Sequence, residues 1–339
     1  MKKFGIIIMM VMILLSGCNS SNEPKTVDLE PTTETEFLLD TLVSITLYGD
    51  DSKYMSDLFD LIEVYDEKLD AHDEKSEVYR VNKRESNVLS DELKELLERS
   101  FVYSELSKGY YDVTIAPLVD LWDIQNQPTE VPSDEDIEIA KSKVDYKSID
   151  ISDHKISFAS ANTKIDLGGI AKGYIADKLV ESIRSKGIER AVINLGGNVV
   201  VVGEKAPGVP FKVALQDPDE LRGESLGVLS LSDESIVTSG IYERYVEIDG
   251  VRYHHMINPF TGYPENNDLK SVTIMSDSST DGDALSTSVF LLGREKGLEL
   301  AEKLEDVDAI IITKSNKIYT TSGIGDAFDL RNDNYELVK

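Results

Sequence analysis

The spacing of apolar residues predicts several amphipathic helices along the chain. Leu58, Ile62 and Leu69, for example, recur at helical intervals between charged residues. Similar patterns follow, and some of them begin with acidic residues that suit a helix N-terminus. The predicted helices span residues 52–69, 90–107, 133–143, 170–186, 281–292 and 294–304.

Short runs rich in β-branched and aromatic residues, bounded by turn residues, predict strands. They span residues 36–48, 148–151, 155–158, 191–202, 211–216, 227–231, 235–238, 245–248, 252–255, 271–276, 309–313 and 317–321, and Gly196-Gly197 divides residues 191–202 into two strands. Residues 109–122 are aromatic and apolar around a central proline, which predicts a buried irregular segment. Helices and strands do not alternate regularly, so the predicted fold class is α+β.

The balance of charge restricts the partners that the protein can bind directly. The 339 residues carry a formal net charge of −28. Such a chain repels nucleic acid and anionic membrane surfaces, so neither is expected as an electrostatic partner. A ligand that bears phosphate would depend on local cations or on a metal ion.

The N-terminus has the pattern of a bacterial lipoprotein. Cys18 is the only cysteine, which excludes an internal disulfide. Two lysines and an apolar stretch precede it, and residues 15–18 resemble a lipobox. We therefore expect residues 1–17 to be a signal peptide and residues 18–34 a flexible tether after lipidated Cys18. Residues 35–339 would form one domain, anchored at the extracytoplasmic face of the cell membrane. An uncleaved N-terminal anchor is the alternative.

Residues 164–177 combine a short strand, a glycine turn and a helix. Asp166 ends the predicted strand, and Gly168 and Gly169 allow a tight turn and a close approach to a ligand. The following helix start and Lys172 suit a phosphate group. The stretch matches neither the P-loop nor the dinucleotide-binding glycine motif, so ordinary turn chemistry remains the alternative.

A second candidate site lies in residues 279–290. Asp283 and Thr287 are four positions apart, which places a carboxylate and a hydroxyl on one face of the predicted helix. Two such oxygen ligands suit Mg²⁺, which completes its coordination with water and phosphate oxygens. The alternative is that Asp281 or Asp283 only complements the helix dipole.

Together these segments resemble the ApbE-like family of FAD:protein FMN transferases in its lipoprotein form. The resemblance covers roughly residues 37 to 325 in the family's order. It rests on residues 111–118, 166–174, 194–198, 238–244, 255–262 and 283–287. It implies one α+β, T-fold-like domain with the flavin site in a central cleft.

The resemblance also implies the reaction. FAD would be the substrate and Mg²⁺ the cofactor. FMN would be transferred to a Thr or Ser hydroxyl of an extracytoplasmic acceptor, expected to be a membrane-associated electron-transfer flavoprotein, and AMP would be released.

The family's site residues can be placed on this sequence. The resemblance implies that Asp283, Thr287 and the carbonyl of Gly169 bind the metal. It further implies that FAD contacts Leu39, His72, Tyr110, Tyr111, Asp112, Asp166, Lys172 and Ile257. His72 stands where members often carry an aromatic residue that stacks on the flavin.

His255 is the candidate general base for the incoming hydroxyl, because imidazole titrates near working pH. Neighbouring residues of a strand point to opposite faces, so only one of His254 and His255 can face the site. Two residues depart from the family pattern. Asn258 replaces the usual Asp, and Ile241 stands where an acid is common.

Three other functions are compatible with these residues. The same site could hydrolyse FAD to FMN and AMP if water reached the phosphorus. A lipid-anchored protein could bind flavin without turnover. A solute-binding lipoprotein fits the anchor and the size, but it gives no reason for Asp283 and Thr287.

Overall fold

The computed structural model describes residues 30–338. Their strands are β1 (Pro31–Leu38), β2 (Thr41–Tyr48), β3 (Ile149–Ser152), β4 (Lys155–Phe158), β5 (Ala191–Leu195), β6 (Asn198–Val202), β7 (Phe211–Gln216), β8 (Ser225–Leu231), β9 (Ser235–Gly240), β10 (Tyr245–Ile248), β11 (Val251–His254), β12 (Leu269–Ser276), β13 (Val307–Thr313), β14 (Lys317–Thr320), β15 (Phe328–Leu330) and β16 (Glu336–Leu337). Their α-helices are α1 (Met55–Leu69), α2 (Glu77–Asn82), α3 (Asp91–Leu106), α4 (Ala116–Trp122), α5 (Asp134–Lys141), α6 (Ala171–Ser185), α7 (Ser279–Leu292) and α8 (Arg294–Ala301).

A nine-stranded sheet forms the centre of the fold, in the order β1-β2-β5-β6-β9-β12-β13-β14-β16. Neighbouring strands are antiparallel except for β14 and β16, which are parallel. Every residue of β12 is buried, because both faces of the sheet are covered at its centre. The predicted α+β class is confirmed.

Alternate side chains of a strand point to opposite faces of the sheet, so each face has its own hydrophobic core. In β13, Ala309 and Ile311 face a cluster formed with the helices α3, α6 and α7. Ile310 and Ile312 face a second cluster with the three-stranded sheet β15-β8-β7. Helices therefore cover one face and a small sheet covers the other.

Serine caps fix the starts of several helices. Ser90 accepts a hydrogen bond from the N–H of Leu93 at 3.2 Å, so α3 begins where the sequence predicts it. The side chain of Glu77 accepts from the N–H of Ser90 at 2.6 Å. A residue of α2 thus completes the cap, although Ser90 has no glutamate three positions later.

The predicted strand over residues 36–48 is wrong, because the chain folds there into the hairpin of β1 and β2. Leu39 and Asp40 form its two-residue turn, with φ of 54° and 55°. Strand β1 begins at Pro31, so residues 31–34 of the predicted tether belong to this hairpin. The rest of the predicted tether, Cys18 and the predicted signal peptide lie outside the described residues.

Two further predictions are corrected. Residues 116–122 of the predicted irregular segment form helix α4. Pro117 lies in its first turn, where a backbone N–H would have no acceptor within the helix, so the proline is tolerated. Residues 164–166 form no strand, although the N–H of Asp166 donates to the carbonyl of Val113 at 2.8 Å. Within residues 30–338, no helix combines the length and the apolar character needed to cross a membrane.

Candidate active site

The starts of α6 and α7 are in direct contact, and this contact assembles the polar residues of the site. The N–H of Gly173 donates to Oδ2 of Asp283 at 2.9 Å. A Cβ on Gly173 would lie 2.1 Å from the carbonyl oxygen of Ser279, so only glycine permits this approach. Asp283, which is 4% exposed, is thereby held against the first turn of α6.

The predicted metal ligands are neighbours of this contact. Nζ of Lys172 lies 4.0 Å from Oδ1 of Asp283. Thr287 follows Asp283 by one helical turn on the same face of α7. A Cβ built on Gly169 would lie 3.6 Å from Oγ1 of Thr287, so the turn before α6 lies beside that hydroxyl.

These groups fit a small, hard cation. Residues 30–338 contain no cluster of three or more His, Cys, Asp or Glu side chains that could bind a metal. A metal here would therefore need one carboxylate, a hydroxyl and a backbone carbonyl, completed by water or phosphate oxygens. Mg²⁺ accepts such a set. The hydrogen bond from Gly173 uses Oδ2 of Asp283, and Oδ1 faces the ammonium group of Lys172.

Helix α6 offers fewer free N–H groups than the sequence predicts. The N–H of Ala171 donates to the carbonyl of Leu167 at 2.8 Å, and that of Gly173 donates to Asp283. Of the first three N–H groups of α6, only that of Lys172 has no acceptor within residues 30–338. Phosphate binding at this helix would therefore depend on Lys172 more than on the helix end.

Asp177 is a site-forming residue that no sequence motif singles out. Its carboxylate accepts from the N–H of Ser279 at 2.8 Å, the N–H of Thr280 at 3.0 Å and the hydroxyl of Thr280 at 2.6 Å. A side chain of α6 thus caps α7. The available signal was spacing, because Asp177 lies four positions after Gly173 and so on the same face of α6.

Asp281 has a different partner from Asp283. Its carboxylate forms an ion pair with Arg99 of α3, and Arg99 also donates to the hydroxyl of Ser278 at 3.0 Å. This ion pair between α3 and α7 gives Asp281 a structural partner.

The segment with Tyr110, Tyr111 and Asp112 lies against the glycine turn. A Cβ on Gly169 would lie 3.1 Å from Cε2 of Tyr111, so the ring packs directly on that backbone. Tyr111 is 4% exposed, and burial raises the pKa of its hydroxyl. Tyr110 packs edge-on against Phe260, with ring centroids 4.9 Å apart.

The Asp112 carboxylate is used within the protein. Oδ1 accepts from the N–H of Thr114 at 2.8 Å and from its hydroxyl at 2.6 Å, and Oδ2 accepts from the N–H of Tyr146 at 3.1 Å. Burial raises the pKa of Asp112, although these hydrogen bonds oppose the shift. Its side chain therefore holds two loops together.

Asp166 lies at the same turn. Oδ1 accepts from the N–H of Gly168 at 2.7 Å. Burial raises the pKa of Asp166, while that hydrogen bond and the nearby imidazole of His72 lower it. His72 is exposed on the loop after α1.

The remaining predicted FAD contacts come from separate parts of the core. Leu39 packs with the cluster of α1 and α6, and Ile257 belongs to the cluster around Trp122. Tyr111 belongs to the helical cluster on the central sheet. A pocket that uses all three residues must lie where these clusters meet.

The two adjacent histidines have different surroundings. His254 is the last residue of β11, is buried, and is bonded through both ring nitrogens. The N–H of Met256 donates to Nδ1 at 3.3 Å, so Nε2 carries the proton and donates to the carbonyl of Glu265 at 2.8 Å. His254 therefore has a structural role.

Within residues 30–338, only one ring nitrogen of His255 has a hydrogen-bond partner. Its Nδ1 lies 3.1 Å from the carbonyl oxygen of Arg244, which can only accept, so Nδ1 carries the proton. Nε2 is then the basic nitrogen. Burial lowers the pKa of His255 to about 3, and the charges of Arg244 and Lys172 contribute to this shift.

The order of these motifs and the contacts between them can be compared with known proteins. The sequence model of the ApbE family matches residues 39–311, which include every predicted site residue of the folded domain. The chain belongs to the ApbE family. The predicted lipidation site, Cys18, lies before the matched range.

Relatives of this ApbE chain include proteins named FAD:protein FMN transferase. That of Treponema pallidum is 32% identical over 314 residues, covering 86% of this chain and 87% of the relative. That of Klebsiella pneumoniae is 34% identical over 306 residues, covering 89% and 95%.

Solved ApbE structures share the fold. The flavin transferase ApbE from Vibrio cholerae superposes with a TM-score of 0.78 at 27% identity, covering 87% of this chain and 98% of that one. The ApbE protein from Thermotoga maritima gives 0.79 at 29% identity, covering 89% and 100%.

Proposed function

We propose that this ApbE protein transfers FMN from FAD to a Thr or Ser hydroxyl of an acceptor protein and releases AMP. The relatives are named for FMN transfer. One observation supports the proposal most strongly. The buried carboxylate of Asp283 is bonded to the start of α6, with Lys172 and the Gly169 turn beside it.

The site would hold the FAD diphosphate through charge. Asp283, Thr287 and the carbonyl of Gly169 would hold Mg²⁺, which supplies positive charge to the diphosphate oxygens when bound. Lys172 adds a second cation from α6. In a chain of net charge −28, these local charges are what makes a phosphate ligand acceptable.

His255 would accept the proton of the incoming hydroxyl. The hydroxyl oxygen forms a bond to the FMN phosphorus, the bond from that phosphorus to the bridging oxygen breaks, and AMP leaves with that oxygen. The proton passes to Nε2 of His255, because Nδ1 is fixed as a donor to Arg244. The carbonyl of Arg244 thus selects the tautomer that the reaction needs.

The test uses the full chain in detergent with FAD, Mg²⁺ and an acceptor domain that bears a threonine. We expect a fluorescent acceptor band on a denaturing gel, formed together with AMP and abolished by EDTA. AMP and free FMN without a band would instead indicate a hydrolase. Stable FAD binding with neither product would indicate a flavin-binding lipoprotein.

We also infer that the protein is anchored by lipid on Cys18 at the extracytoplasmic face of the membrane. The support is the charged, apolar and small-residue pattern of residues 2–18. Incorporation of labelled palmitate should require Cys18, and the Cys18→Ala variant should be found in the soluble fraction instead of the membrane fraction. Digestion of the domain by protease added to intact spheroplasts would agree with this location, whereas complete protection would contradict it.

A further inference from the structure

Glu265 helps to close the segment between β11 and β12, in which the N–H of Asn258 also donates to the carbonyl of Tyr263 at 2.8 Å. The N–H of Glu265 donates to the carbonyl of Met256 at 2.9 Å, and its own carbonyl accepts from Nε2 of His254 at 2.8 Å. Its side-chain Oε2 accepts from Nδ2 of Asn258 at 2.6 Å. Glu265 is therefore bonded to the residues before and after His255.

The amide of Asn258 can point only one way. Its Oδ1 accepts from the N–H of Phe260 at 2.8 Å and from the N–H of Thr261 at 3.3 Å. Because both partners are donors, the side-chain nitrogen must be the atom that faces Glu265. Asn258 is 7% exposed, so its hydrogen bond to the carboxylate is largely shielded from water.

Aspartate would not fit this position. It would keep the acceptor for Phe260 and Thr261, but it would place a second carboxylate against Glu265. Asn258 replaces the Asp that the family resemblance leads one to expect, and Glu265 supplies a physical reason for the replacement in this chain.

We propose that Asn258 and Glu265 form a positioning pair that sets the place of His255 relative to the α6–α7 contact. One side of His255 is fixed by Arg244, whose carbonyl accepts both the backbone N–H and Nδ1 at 3.1 Å. The flanking residues, His254 and Met256, are fixed by Glu265. The proposal rests on the role of His255 as base, since the pair acts on the reaction only through that imidazole.

The test is a rescue by exchange of partners. In Asn258→Asp, two carboxylates face each other, so we expect kcat for FMN transfer to fall about tenfold or more while the KM for FAD stays within about twofold. Glu265→Gln keeps an acceptor for Asn258, so its loss should be smaller than that of Asn258→Asp. In the double variant N258D/E265Q, the glutamine amide donates to the new carboxylate, and kcat should return to within about threefold of wild type.

A matched control exists elsewhere in the chain. Nδ2 of Asn126 donates to Oδ1 of Asp123 at 2.7 Å, but this pair is exposed. Asn126→Asp makes the same chemical change against the same kind of partner, and kcat should not change because water screens the two charges.

The outcomes separate this proposal from the proposed function. His255→Asn is measured in parallel, together with FAD binding by flavin fluorescence and the thermal midpoint of each variant. If His255→Asn is inactive but Asn258→Asp is as active as wild type, the positioning pair is wrong and the base stands. Full activity of His255→Asn overturns the base and, with it, the positioning of that base. If Asn258→Asp loses activity and Glu265→Gln in the double variant restores none, the loss does not arise from the pair, and the proposal is also overturned.

Discussion

The N–H of Gly173 and Oδ2 of Asp283 are joined by a hydrogen bond of 2.9 Å across 110 positions of sequence. This bond connects the glycine turn before α6 to the acidic start of α7. Neither motif forms a site by itself. Their contact brings Lys172 to 4.0 Å from Asp283 and places Gly169 beside Thr287.

Replacing Gly173 by alanine should disrupt this contact. The added Cβ would lie 2.1 Å from the carbonyl of Ser279 and 2.8 Å from Cβ of Asp283, so the two helices would have to separate. We expect the free energy of unfolding to fall by about 1–3 kcal/mol and FMN transfer to fall about tenfold or more. Urea denaturation and the transfer assay measure the two effects. Ser185 is exposed in the last turn of α6, so Ser185→Ala should change neither stability nor transfer activity. Unchanged stability and activity in Gly173→Ala would show that the helices do not touch in this way.

Asp283→Asn should separate charge from structure. The amide oxygen can still accept from Gly173, but the negative ligand is lost, so we expect Mg²⁺-dependent transfer to fall by about 10² or more with little change in thermal midpoint. Asp281→Asn is the matched control in the same helix turn. Asp281 pairs with Arg99, so its variant should lose some stability and keep transfer activity. Equal losses of transfer in the two variants would mean that Asp283 has no special role at the metal.

Local pattern predicts most helices and strands of this chain, and the errors have physical causes. The hairpin of β1 and β2 reads as one strand because Leu39-Asp40 lacks the Asn or Gly typical of a two-residue turn, although both residues adopt positive φ. Helix α4 is hidden by Pro117, which is compatible with a helix only in its first turn.

The site is predictable where a motif provides both the residue and its spacing. Asp283 and Thr287 are recognisable as one helix face, and Lys172 as a cation at a helix start. The contacts between distant segments are not. The Asp-Val-Thr sequence signals the turn in which Oδ1 of Asp112 accepts from Thr114, but nothing near Asp112 indicates that Oδ2 accepts from Tyr146, 34 positions away. The bond between Asn258 and Glu265 likewise depends on how residues 254–265 close on themselves.

His254 should make the protein less stable in mildly acidic solution. Burial lowers the pKa of His254 from 6.5 to about 4. Between these values the unfolded chain binds the proton and the folded chain does not, so the free energy of unfolding decreases as pH falls. The contribution is at most about 3 kcal/mol.

Asp112 and Asp166 have raised pKa values and act in the opposite direction, so the comparison must use a variant. His254→Gln cannot titrate, and its stability should fall less than that of wild type between pH 7 and 4. Parallel curves from urea denaturation would contradict a buried, neutral imidazole.

The pKa of His255 should rise when FAD binds. Burial and the charges of Arg244 and Lys172 lower the pKa of the free enzyme to about 3, and the diphosphate would neutralise those two cations. The pH dependence of kcat/KM reports the free enzyme and that of kcat the complex. We therefore expect kcat/KM to stay level from pH 8 to about 5, while kcat falls within this range as the base becomes protonated.

Lys172→Gln should move the acidic limb of kcat/KM to higher pH, because it removes one of the cations from the free enzyme. Circular dichroism at each pH confirms that the fold is intact. Coincident acidic limbs for kcat and kcat/KM in the wild-type protein would show that the diphosphate does not reach the cations beside His255.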